Sequence, residues 1–499
     1  MKEKYVSTRG GEKNISASQG IIKGIAKDGG LFVPSFIHDL SLDLASLKDM
    51  RYGELAFAVF EKFLDDFSPE QIKACIDAAY YSGKFEGEEP VAISKVADRY
   101  FLELYHGPTC AFKDMALTIL PHLMTTAMKN IDIDKDIVIL TATSGDTGKA
   151  ALEGFAKVPR ISIVVYYPKD GVSTIQEKQM LTQEGENTRV IGVAGNFDDT
   201  QNGVKQILND HGLIEELDAA GYVFSSANSI NIGRLLPQVV YYFYSYFALV
   251  KNQEINLGDP VNFVVPTGNF GNILAGYYAH ILGLPVNRFI CASNSNNVLT
   301  DFFADGAYNK NRDFHKTISP SMDILISSNL ERLLYDLADG NAACIAGLMA
   351  DLNTKGAYTL PEALAKNKAY EKFYGGCADE MATQVAIHDM FVENHYLMDT
   401  HTAVASRVYD DYLAKTGDTT PTIILSTASP YKFGHSVYQS IFGEIPEGLD
   451  DYAVLTALSE KTGTEVPKPL RDLDKKANLH DVQCSPQEMA DCVKAFLKI

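Results

Sequence analysis

The sequence lacks the features that define several classes of protein. Its seven cysteines are scattered and form no C-x-x-C pair, which argues against a structural zinc or other metal site and against a disulfide framework. No run of about 18 or more apolar residues predicts a membrane span. The opening MKEKYVSTRGGEKNIS has no apolar segment of the secretory type and carries Glu3, which a transit peptide would normally avoid. We therefore expect a cytoplasmic protein.

Positive charge is also scarce. Lys and Arg number 44 against 64 Asp and Glu, so the formal net charge is -20. This balance disfavours nonspecific binding to nucleic acid or to an anionic membrane, but it allows a small anion to bind in a local cationic pocket. At 499 residues, with 46% hydrophobic and 22% charged residues, the chain has the composition of a soluble globular protein of two or three domains.

The pattern along the chain predicts an α/β fold. The first 90 or so residues are mainly helical in pattern, and short apolar runs then alternate with segments of helical period, which is typical of β-α units around a largely parallel sheet. In such sheets ligands bind beyond the carboxyl ends of strands. The loops that leave predicted strands are therefore the places to search for function.

Lys113 lies in the first of these loops, LYHGPTCAFKDMA, where a predicted strand turns into a predicted helix. We predict Thr109 as the helix N-cap. The predicted apolar face of this helix is Phe112, Met115, Ala116, Ile119, Leu120 and Leu123. Because a helix N-terminus disfavours a cation, Lys113 has two interpretations. It is either a solvated lysine or one paired with Asp114, or an amine whose pKa is lowered by the helix dipole and by burial, as Schiff-base chemistry requires.

The second loop, PTGNFGN from Pro266 to Asn272, joins the predicted strand VNFVV to the predicted helix ILAGYYAHIL. Its two glycines allow successive N–H groups to point at a phosphate at the helix N-terminus. It matches neither G-x-x-x-x-G-K-[ST] nor G-x-G-x-x-G, so neither an ATPase loop nor a Rossmann fingerprint is supported. A plain glycine turn with a helix cap is the alternative.

Two further loops carry hydroxyl groups. In TSGDTG, from Thr143 to Gly148, small side chains and exposed amides suit a carboxylate, and ordinary N-capping by Thr147 or Asp146 is the alternative. In STASPYKF, Thr427 ends a predicted strand, where its hydroxyl could hydrogen-bond a ring nitrogen. A plain Ser/Thr turn is the alternative there.

Five motifs in this order resemble those of the threonine synthases, in the long microbial branch of the fold-type II pyridoxal-phosphate enzymes, which include the tryptophan synthase β subunit. The motifs are HGPTCAFKD, TSGDTG, PTGNFGN, DTHTA and STASPYKF. The resemblance extends to YVSTRG, DGGLFVP and SPSMDI and covers nearly the whole chain, with the final 50 residues the least distinctive. A single glycine-rich loop is nonspecific, whereas five ordered motifs are highly specific.

The resemblance implies a fold with two α/β open-sheet domains and a mainly helical N-terminal domain. We expect the N-terminal helical domain at residues 1–92. The large domain, which would bind pyridoxal phosphate, is expected at 93–130 and 255–460. A small mobile α/β domain would span 131–254, and a C-terminal segment would span 461–499.

The resemblance also implies roles for individual residues. Lys113 would bond covalently to pyridoxal 5'-phosphate, and Thr427 would meet the pyridine nitrogen. The cofactor phosphate would bind to Gly268, Asn269, Phe270, Gly271 and Asn272. The substrate carboxylate would bind to Ser144, Gly145, Asp146, Thr147 and Gly148. In ANSINIGR the substrate phosphate would bind to Asn228, Ser229 and Arg234, with Asn231 nearby. A surface ion pair is the alternative for Arg234.

The implied reaction converts O-phospho-L-homoserine and water into L-threonine and phosphate, the last step of threonine biosynthesis. The γ-phosphate is eliminated, water adds at the β carbon, and the Lys113 amine carries protons between the α and β carbons. A lyase that releases 2-oxobutyrate from the same substrate is the alternative. A serine or threonine dehydratase would need no phosphate pocket, and a non-catalytic metabolite-binding protein should have lost Lys113 or the glycine loop. We expect a small-molecule substrate, no nucleic-acid or membrane partner, and a monomer.

Three other residues near these motifs receive structural interpretations. We expect Cys110 to pack rather than react, because no His-and-carboxylate arrangement beyond His106 accompanies it. His106 is interpreted as packing at the cofactor site. His401, in DTHTA, is expected to fix a loop near the site.

Overall fold

The architecture comes from a computed structural model, which describes residues 4–143, 145–169 and 171–499. The strands are β1 (Tyr5–Ser7), β2 (Phe32–Pro34), β3 (Ala92–Val96), β4 (Arg99–Glu103), β5 (Asp136–Ala142), β6 (Ile161–Pro168), β7 (Thr188–Val193), β8 (Tyr222–Ser225), β9 (Val261–Pro266), β10 (Val286–Ser293), β11 (Ala307–Asn309), β12 (Ala357–Thr359), β13 (Phe373–Cys377), β14 (Thr422–Ser426) and β15 (Val482–Cys484).

The helices alternate with these strands over most of the chain. They are α1 (Ala17–Lys23), α2 (Leu44–Leu47), α3 (Tyr52–Phe63), α4 (Pro69–Tyr80), α5 (Asp114–Leu117), α6 (Leu120–Asn130), α7 (Asp146–Phe155), α8 (Thr174–Leu181), α9 (Phe197–Asn209), α10 (His211–Ala219), α11 (Ile232–Lys251), α12 (Gly271–Ile281), α13 (Val298–Asp305), α14 (Leu330–Leu337), α15 (Ala342–Thr354), α16 (Glu362–Ala365), α17 (Glu380–Asn394), α18 (Thr400–Thr416), α19 (Gly434–Phe442), α20 (Asp451–Thr462) and α21 (Met489–Leu497).

Two open sheets form the framework of the described residues. The larger has the strand order β13-β10-β9-β14-β4-β3, and every neighbouring pair is parallel except β3 with β4. The smaller has the order β15-β7-β6-β5-β8 and is parallel throughout. Strands such as VNFVVP in β9 are buried along their whole length, because helices cover both faces of a parallel sheet. The fold is thus the predicted α/β arrangement of two open sheets.

The N-terminal region is mainly helical, as predicted, and packs against helices of the larger sheet. Helix α3 contacts α11, and α1 contacts α6. Helix α4 shows why these helices begin where they do, since Ser68 forms a capping box with Gln71 and Pro69 occupies the first turn. A buried hydrogen bond from the Tyr5 hydroxyl to the Phe63 carbonyl, at 3.0 Å, ties β1 to α3.

Two sets of contacts join segments that are distant in sequence. Helix α11, expected in the small domain, packs against α12, α3 and α5 and so lies with the larger sheet. In the C-terminal segment, β15 pairs in parallel with β7 and α21 packs on α9. In both cases apolar faces are buried against elements distant in sequence.

The helix predicted across residues 112–123 is divided into α5 and α6. Pro121 has no N–H to donate to the Leu117 carbonyl one turn earlier, and its ring opposes a continuous helix there. Thr109 is not the N-cap as predicted, because α5 begins after Lys113. Within the described residues, no helix combines the length and the apolar character that a membrane crossing would need.

Gly154 lies where α7 packs closely against α5. A Cβ atom at this position would lie 2.0 Å from the Leu117 carbonyl oxygen, whereas a Cβ at Gly347, on the exposed side of α15, would meet no atom within 4 Å. We expect Gly154→Ala to lower the free energy of unfolding by about 1–3 kcal/mol through overpacking. Gly347→Ala, the matched control, should raise it by roughly 0.5–1 kcal/mol. Urea unfolding measures both, and equal effects would contradict this packing.

Candidate active site

Three of the four predicted loops lie at one edge of the larger sheet. Strands β9, β14 and β4 are neighbours and run parallel, so their carboxyl ends lie side by side. The glycine loop follows β9, Thr427 follows β14, and the segment that carries Lys113 follows β4. This is the edge at which open α/β sheets bind ligands.

Lys113 is buried and directed into the site. Its side chain is 10% exposed, and its Nζ donates a 3.0 Å hydrogen bond to Ser321 Oγ and lies 3.6 Å from Asp146 Oδ2. Burial lowers the pKa of the Lys113 amine, and the charges of Lys432 and Arg234 lower it further, while Asp146 acts in the opposite direction. The interpretation of Lys113 as a solvated lysine is therefore wrong, and the interpretation as an amine of lowered pKa agrees with the geometry.

The alternative pairing of Lys113 with Asp114 is also wrong. The Asp114 carboxylate is buried and accepts hydrogen bonds from the backbone N–H and hydroxyl of Thr109, at 2.8 and 2.6 Å. Burial raises the pKa of Asp114 to about 6. The Asp114 carboxylate thus stabilises the turn before Lys113 and does not pair with the Lys113 amine.

Asp146 is the carboxylate partner of two buried lysines. Its Oδ1 lies 2.8 Å from Nζ of Lys432, whose side chain is fully buried, and accepts a 2.9 Å bond from Gln176 Nε2. Burial by itself raises the pKa of the Asp146 carboxyl, but the ammonium groups of Lys432 and Lys113 outweigh burial and hold that pKa well below its ordinary value. Asp146 is therefore ionised in the folded protein.

The glycine loop is shaped for close approach of a ligand. Phe270 adopts the left-handed conformation (φ 63°) and α12 begins at Gly271, so the first N–H groups of α12 open toward the loop. A Cβ at Gly268 would lie 2.6 Å from the Ser321 carbonyl oxygen, so no side chain fits there. Asn269 accepts through its carbonyl a 3.0 Å bond from Asn329 Nδ2.

Asn272, at the end of the same loop, has a buried donor without a partner. Its Oδ1 accepts hydrogen bonds from the Tyr241 and Tyr242 hydroxyls, at 2.6 and 3.0 Å, which leaves Nδ2 directed elsewhere. That Nδ2 has no hydrogen-bond partner in the described part of the chain. Because buried donors are normally satisfied, the loop suits an oxygen-rich anion such as a phosphate.

Arg234 presents a second unsatisfied donor. It lies in the first turn of α11, is 4% exposed, and donates from Nη1 to the Ala227 carbonyl at 3.0 Å. Its Nε finds no partner among the described residues, and burial lowers the pKa of its guanidinium to about 10. The alternative of a surface ion pair is wrong, because the side chain is buried.

Asn228 and Ser229 lie in the segment that leads into α11. The Asn228 carbonyl accepts from the N–H of Asn231, and the Ser229 carbonyl accepts from Asn329 Nδ2 at 3.2 Å. Asn329 Nδ2 also bonds the carbonyl of Asn269, so one amide joins this segment to the glycine loop. Asn231 is occupied as the N-cap of α11 and bonds the Ile21 and Ser226 carbonyls.

The TSGDTG loop is closed by Thr143. Its hydroxyl accepts hydrogen bonds from the N–H groups of Gly145 and Gly148, at 3.0 and 2.9 Å, and α7 begins after Gly145. The alternative of capping by Thr147 or Asp146 is therefore wrong. Thr147 is half-buried in the first turn, and Ser144 lies outside the described residues.

Thr427 is buried beside the lysine segment. Its carbonyl accepts from the Phe112 N–H at 2.8 Å, and Ala428 bridges Ala111 in antiparallel fashion. Cys110 is buried and burial raises the pKa of its thiol, which agrees with packing. His106 contacts Glu103 through Nε2 at 2.9 Å and is a quarter exposed.

Sequence reasoning gave no role to three residues of this site. Ser321 contacts the Lys113 amine, and Lys432 and Gln176 contact Asp146. Ser321 and Lys432 lie inside the motifs SPSMDI and STASPYKF, so the motifs pointed to them without indicating what they touch. His401, expected to fix a nearby loop, accepts a hydrogen bond at Nε2 from the Ser321 N–H at 3.1 Å.

The charges of the site favour an anion. Lys113, Lys432 and Arg234 are buried, and the charges of Lys432 and Arg234 both act on the Lys113 amine. Asp146 is the carboxylate partner of Lys113 and Lys432. This local excess of positive charge contrasts with the net charge of -20 for the whole chain. A ligand with phosphate or carboxylate groups would supply the missing negative charge.

Three segments of the chain match family profiles. Residues 4–80 match the profile described as threonine synthase N terminus, and residues 402–496 match threonine synthase, C-terminal. Residues 95–347, which carry most of the site, match pyridoxal-phosphate dependent enzyme.

Individual proteins are similar over most of the chain. Human threonine synthase-like 1 is 38% identical over 465 residues, which are 88% of this chain and 61% of the human protein, so the chain spans less than two thirds of that relative. Threonine synthase of Schizosaccharomyces pombe is 38% identical over 464 residues, 87% of this chain and 88% of that protein. The crystal structure of PLP-bound threonine synthase from Brucella melitensis has a TM-score of 0.87 at 33% identity and covers 100% of both chains.

Opposite effects of two neighbours on Lys113 provide a test of the site's electrostatics. Because Asp146 raises and Arg234 lowers the pKa of Lys113, Asp146→Asn should lower that pKa and Arg234→Gln should raise it. Only the neutral amine is methylated by formaldehyde and cyanoborohydride, so the pH midpoint of Lys113 methylation in the cofactor-free chain reports its pKa.

Peptide mass spectrometry resolves Lys113 from the other lysines, and the exposed Lys157 serves as internal control. The midpoint should fall in the Asp146 variant and rise in the Arg234 variant. Shifts in the same direction would contradict the electrostatic assignment.

Proposed function

The chain belongs to the threonine synthase family of pyridoxal-phosphate-dependent enzymes, and from this premise we propose that it converts O-phospho-L-homoserine and water into L-threonine and phosphate. Such a lyase removes the γ-phosphate and adds water at the β carbon. The observation that carries the proposal is the buried Arg234 guanidinium, whose Nε has no partner among the described residues, in a site with excess positive charge.

The residues present fit the cofactor. Lys113 would bond to its aldehyde, the loop Gly268 to Asn272 would hold its phosphate, and Thr427 would meet its ring nitrogen. Two observations support this arrangement: Asn272 Nδ2 has no partner in the part of the chain that the structure describes, and no side chain fits at Gly268. When bound, pyridoxal phosphate supplies an aldehyde that bonds to amines and a ring that withdraws electrons from the substrate α carbon.

The Lys113 amine acts in this proposal as the base that moves protons at the α and β carbons. A base must be neutral to accept a proton, and burial lowers the pKa of Lys113, which favours the neutral amine. Asp146 limits this effect, so the amine can also hold the proton that it later returns.

Arg234, Asn228 and Ser229 would bind the substrate phosphate. An arginine suits a phosphate because its planar fork offers parallel donors, and here Nε is available beside the anchored Nη1. Burial strengthens each of these charged hydrogen bonds. Arg234 would thereby stabilise the negative charge that gathers on the departing phosphate.

The loop from Ser144 to Gly148 would bind the substrate carboxylate. The Asp146 side chain is paired with Lys432 and accepts a hydrogen bond from Gln176. The Thr143 hydroxyl accepts hydrogen bonds from the N–H groups of Gly145 and Gly148. The backbone N–H groups of Asp146 and Thr147, in the first turn of α7, are then the donors suited to a carboxylate.

We further propose that the enzyme acts in the cytoplasm as a monomer. The net charge of -20 suits a small-molecule substrate rather than nucleic acid or a membrane. Light scattering tests the monomer against its mass of 54.8 kDa.

Product analysis separates the proposed synthase from the lyase that releases 2-oxobutyrate. After incubation with O-phospho-L-homoserine, we expect threonine to form in step with inorganic phosphate, because water adds before release. Phosphate accompanied by 2-oxobutyrate would identify the lyase instead. Lys113→Ala is the control, since it should make neither product and retain no cofactor after borohydride reduction.

Removal of the Arg234 charge should affect the substrate more than the cofactor. We expect Arg234→Gln to lower kcat/KM for O-phospho-L-homoserine by about 100-fold, the scale for loss of one buried charged hydrogen-bond partner. The amount of pyridoxal phosphate retained, measured by absorbance, should be unchanged. Loss of the cofactor with a normal kcat/KM per bound cofactor would assign Arg234 to the cofactor phosphate.

A further inference from the structure

Ser321 connects the Lys113 amine with the Asp146 carboxylate. Lys113 Nζ donates to Ser321 Oγ at 3.0 Å, and Ser321 Oγ donates to Asp146 Oδ2 at 3.3 Å. A hydroxyl has one hydrogen, and the ionised Asp146 can only accept. With its hydrogen directed at Asp146, the Ser321 oxygen presents a lone pair to the Lys113 amine.

The backbone at Ser321 is fixed by a buried histidine. The Ser321 N–H donates to His401 Nε2 at 3.1 Å, and His401 Nδ1 lies 2.8 Å from Asp399 Oδ1. Because a backbone N–H can only donate, Nε2 is the unprotonated nitrogen and Nδ1 carries the hydrogen bonded to Asp399. Both side chains are almost fully buried, at 3% and 0% exposure. Asp399 thus selects the tautomer that can hold Ser321.

The same loop is fixed independently by Asp323. Its carboxylate accepts from Asn294 Nδ2 at 2.8 Å, from Thr317 Oγ1 at 2.7 Å and from Asn296 Nδ2 at 3.1 Å. Asn294 and Asn296 are buried at the carboxyl end of β10. The Ser321 carbonyl also lies where a Cβ at Gly268 would need to be, so the loop packs on the glycine loop. The position of Ser321 is therefore fixed by His401, by Asp323 and by packing on the glycine loop.

We propose that Ser321 is a positioning residue for Lys113. Its hydroxyl oxygen accepts a hydrogen bond from one N–H of the Lys113 amine and so holds the nitrogen lone pair in one direction. The Asp399–His401 pair acts on Lys113 through Ser321. This inference rests on the proposed function in that Lys113 is the base. It adds a residue whose purpose is the orientation of that base. A serine that only shapes the loop would leave the chemistry of the Lys113 amine unchanged.

Ser321→Ala tests the orientation. Without the acceptor, the protonated amine loses a hydrogen bond, so the pH midpoint of Lys113 methylation in the cofactor-free chain should fall by about one unit. In the holoenzyme kcat should fall about tenfold while KM changes by less than about twofold. The charged groups that act on Lys113, namely Asp146, Lys432 and Arg234, are unaltered in this variant.

Ser321→Thr provides the conservative control, because it keeps the hydroxyl. Its midpoint of Lys113 methylation should equal that of the wild type. If Ser321→Ala fails to fold by circular dichroism, Ser321→Cys, with a weak acceptor of similar size, takes its place. A Ser321→Ala protein with the midpoint and kcat of the wild type would overturn the proposal.

A double-mutant cycle tests whether His401 acts through Ser321. His401→Phe removes the acceptor at Nε2 and should lower kcat about tenfold in the wild type but less than about twofold in Ser321→Ala, since coupled residues are not additive. His401→Gln keeps an acceptor and should lie nearer the wild type. The matched control is His388→Phe, because His388 forms an exposed pair with Asp389 at 2.9 Å, and this variant should have wild-type kcat.

Independent effects of the Ser321 and His401 variants, multiplying in the double variant, would overturn the path through Ser321. If His401→Phe does not fold, His401→Gln combined with Ser321→Ala completes the cycle. The methylation measurement needs no substrate. A wild type that made no threonine would therefore overturn the proposed function, whereas the positioning role of Ser321 would still be tested by the midpoint of Lys113 methylation.

Discussion

The buried Asp146 carboxylate is the group on which the rest of the site depends. It lies at the start of α7, on the smaller sheet, and pairs with Lys432, which follows β14 of the larger sheet. Removal of one partner of a buried ion pair costs about 3–5 kcal/mol, because the other charge is left unpaired in a medium of low dielectric. The pair therefore sets how the loops of the two sheets meet, and Lys113 lies within reach of the same carboxylate.

Asp146 compensates the cationic cluster only in part. With Lys113, Lys432 and Arg234 all buried, the pocket keeps a positive charge that a substrate with phosphate and carboxylate groups would neutralise. Selectivity for anions thus does not require a basic protein, and the acidic surface of the chain does not oppose it at this depth. The lowered pKa of Lys113 has the same origin as this selectivity, because burial and neighbouring cations disfavour the ammonium form.

Much of the fold and part of the site could be predicted from local patterns. The strand VNFVVP, the glycine loop after it and the unusual position of Lys113 are all short-range features, and each is present in the structure. The helix expected from Phe112 to Leu123 was predicted from apolar spacing alone, although Pro121 already signalled the interruption at Leu117. Thr109 has the chemistry of an N-cap, but its hydroxyl bonds the side chain of Asp114 instead.

By itself the sequence determined the order of the β-α units, the residue types of the loops and the cation at residue 113, because these depend on neighbours within a few positions. Only the tertiary structure decided that Ser321 lies 3.0 Å from Lys113, 208 residues apart, and that Lys432 pairs with Asp146. It also decided that Arg234 is buried and that its Nε has no hydrogen-bond partner within the described residues. The charge balance and the pKa shifts of the site depend on the burial of its charged side chains and on the distances between them. Burial and these distances are set when the two sheets pack together.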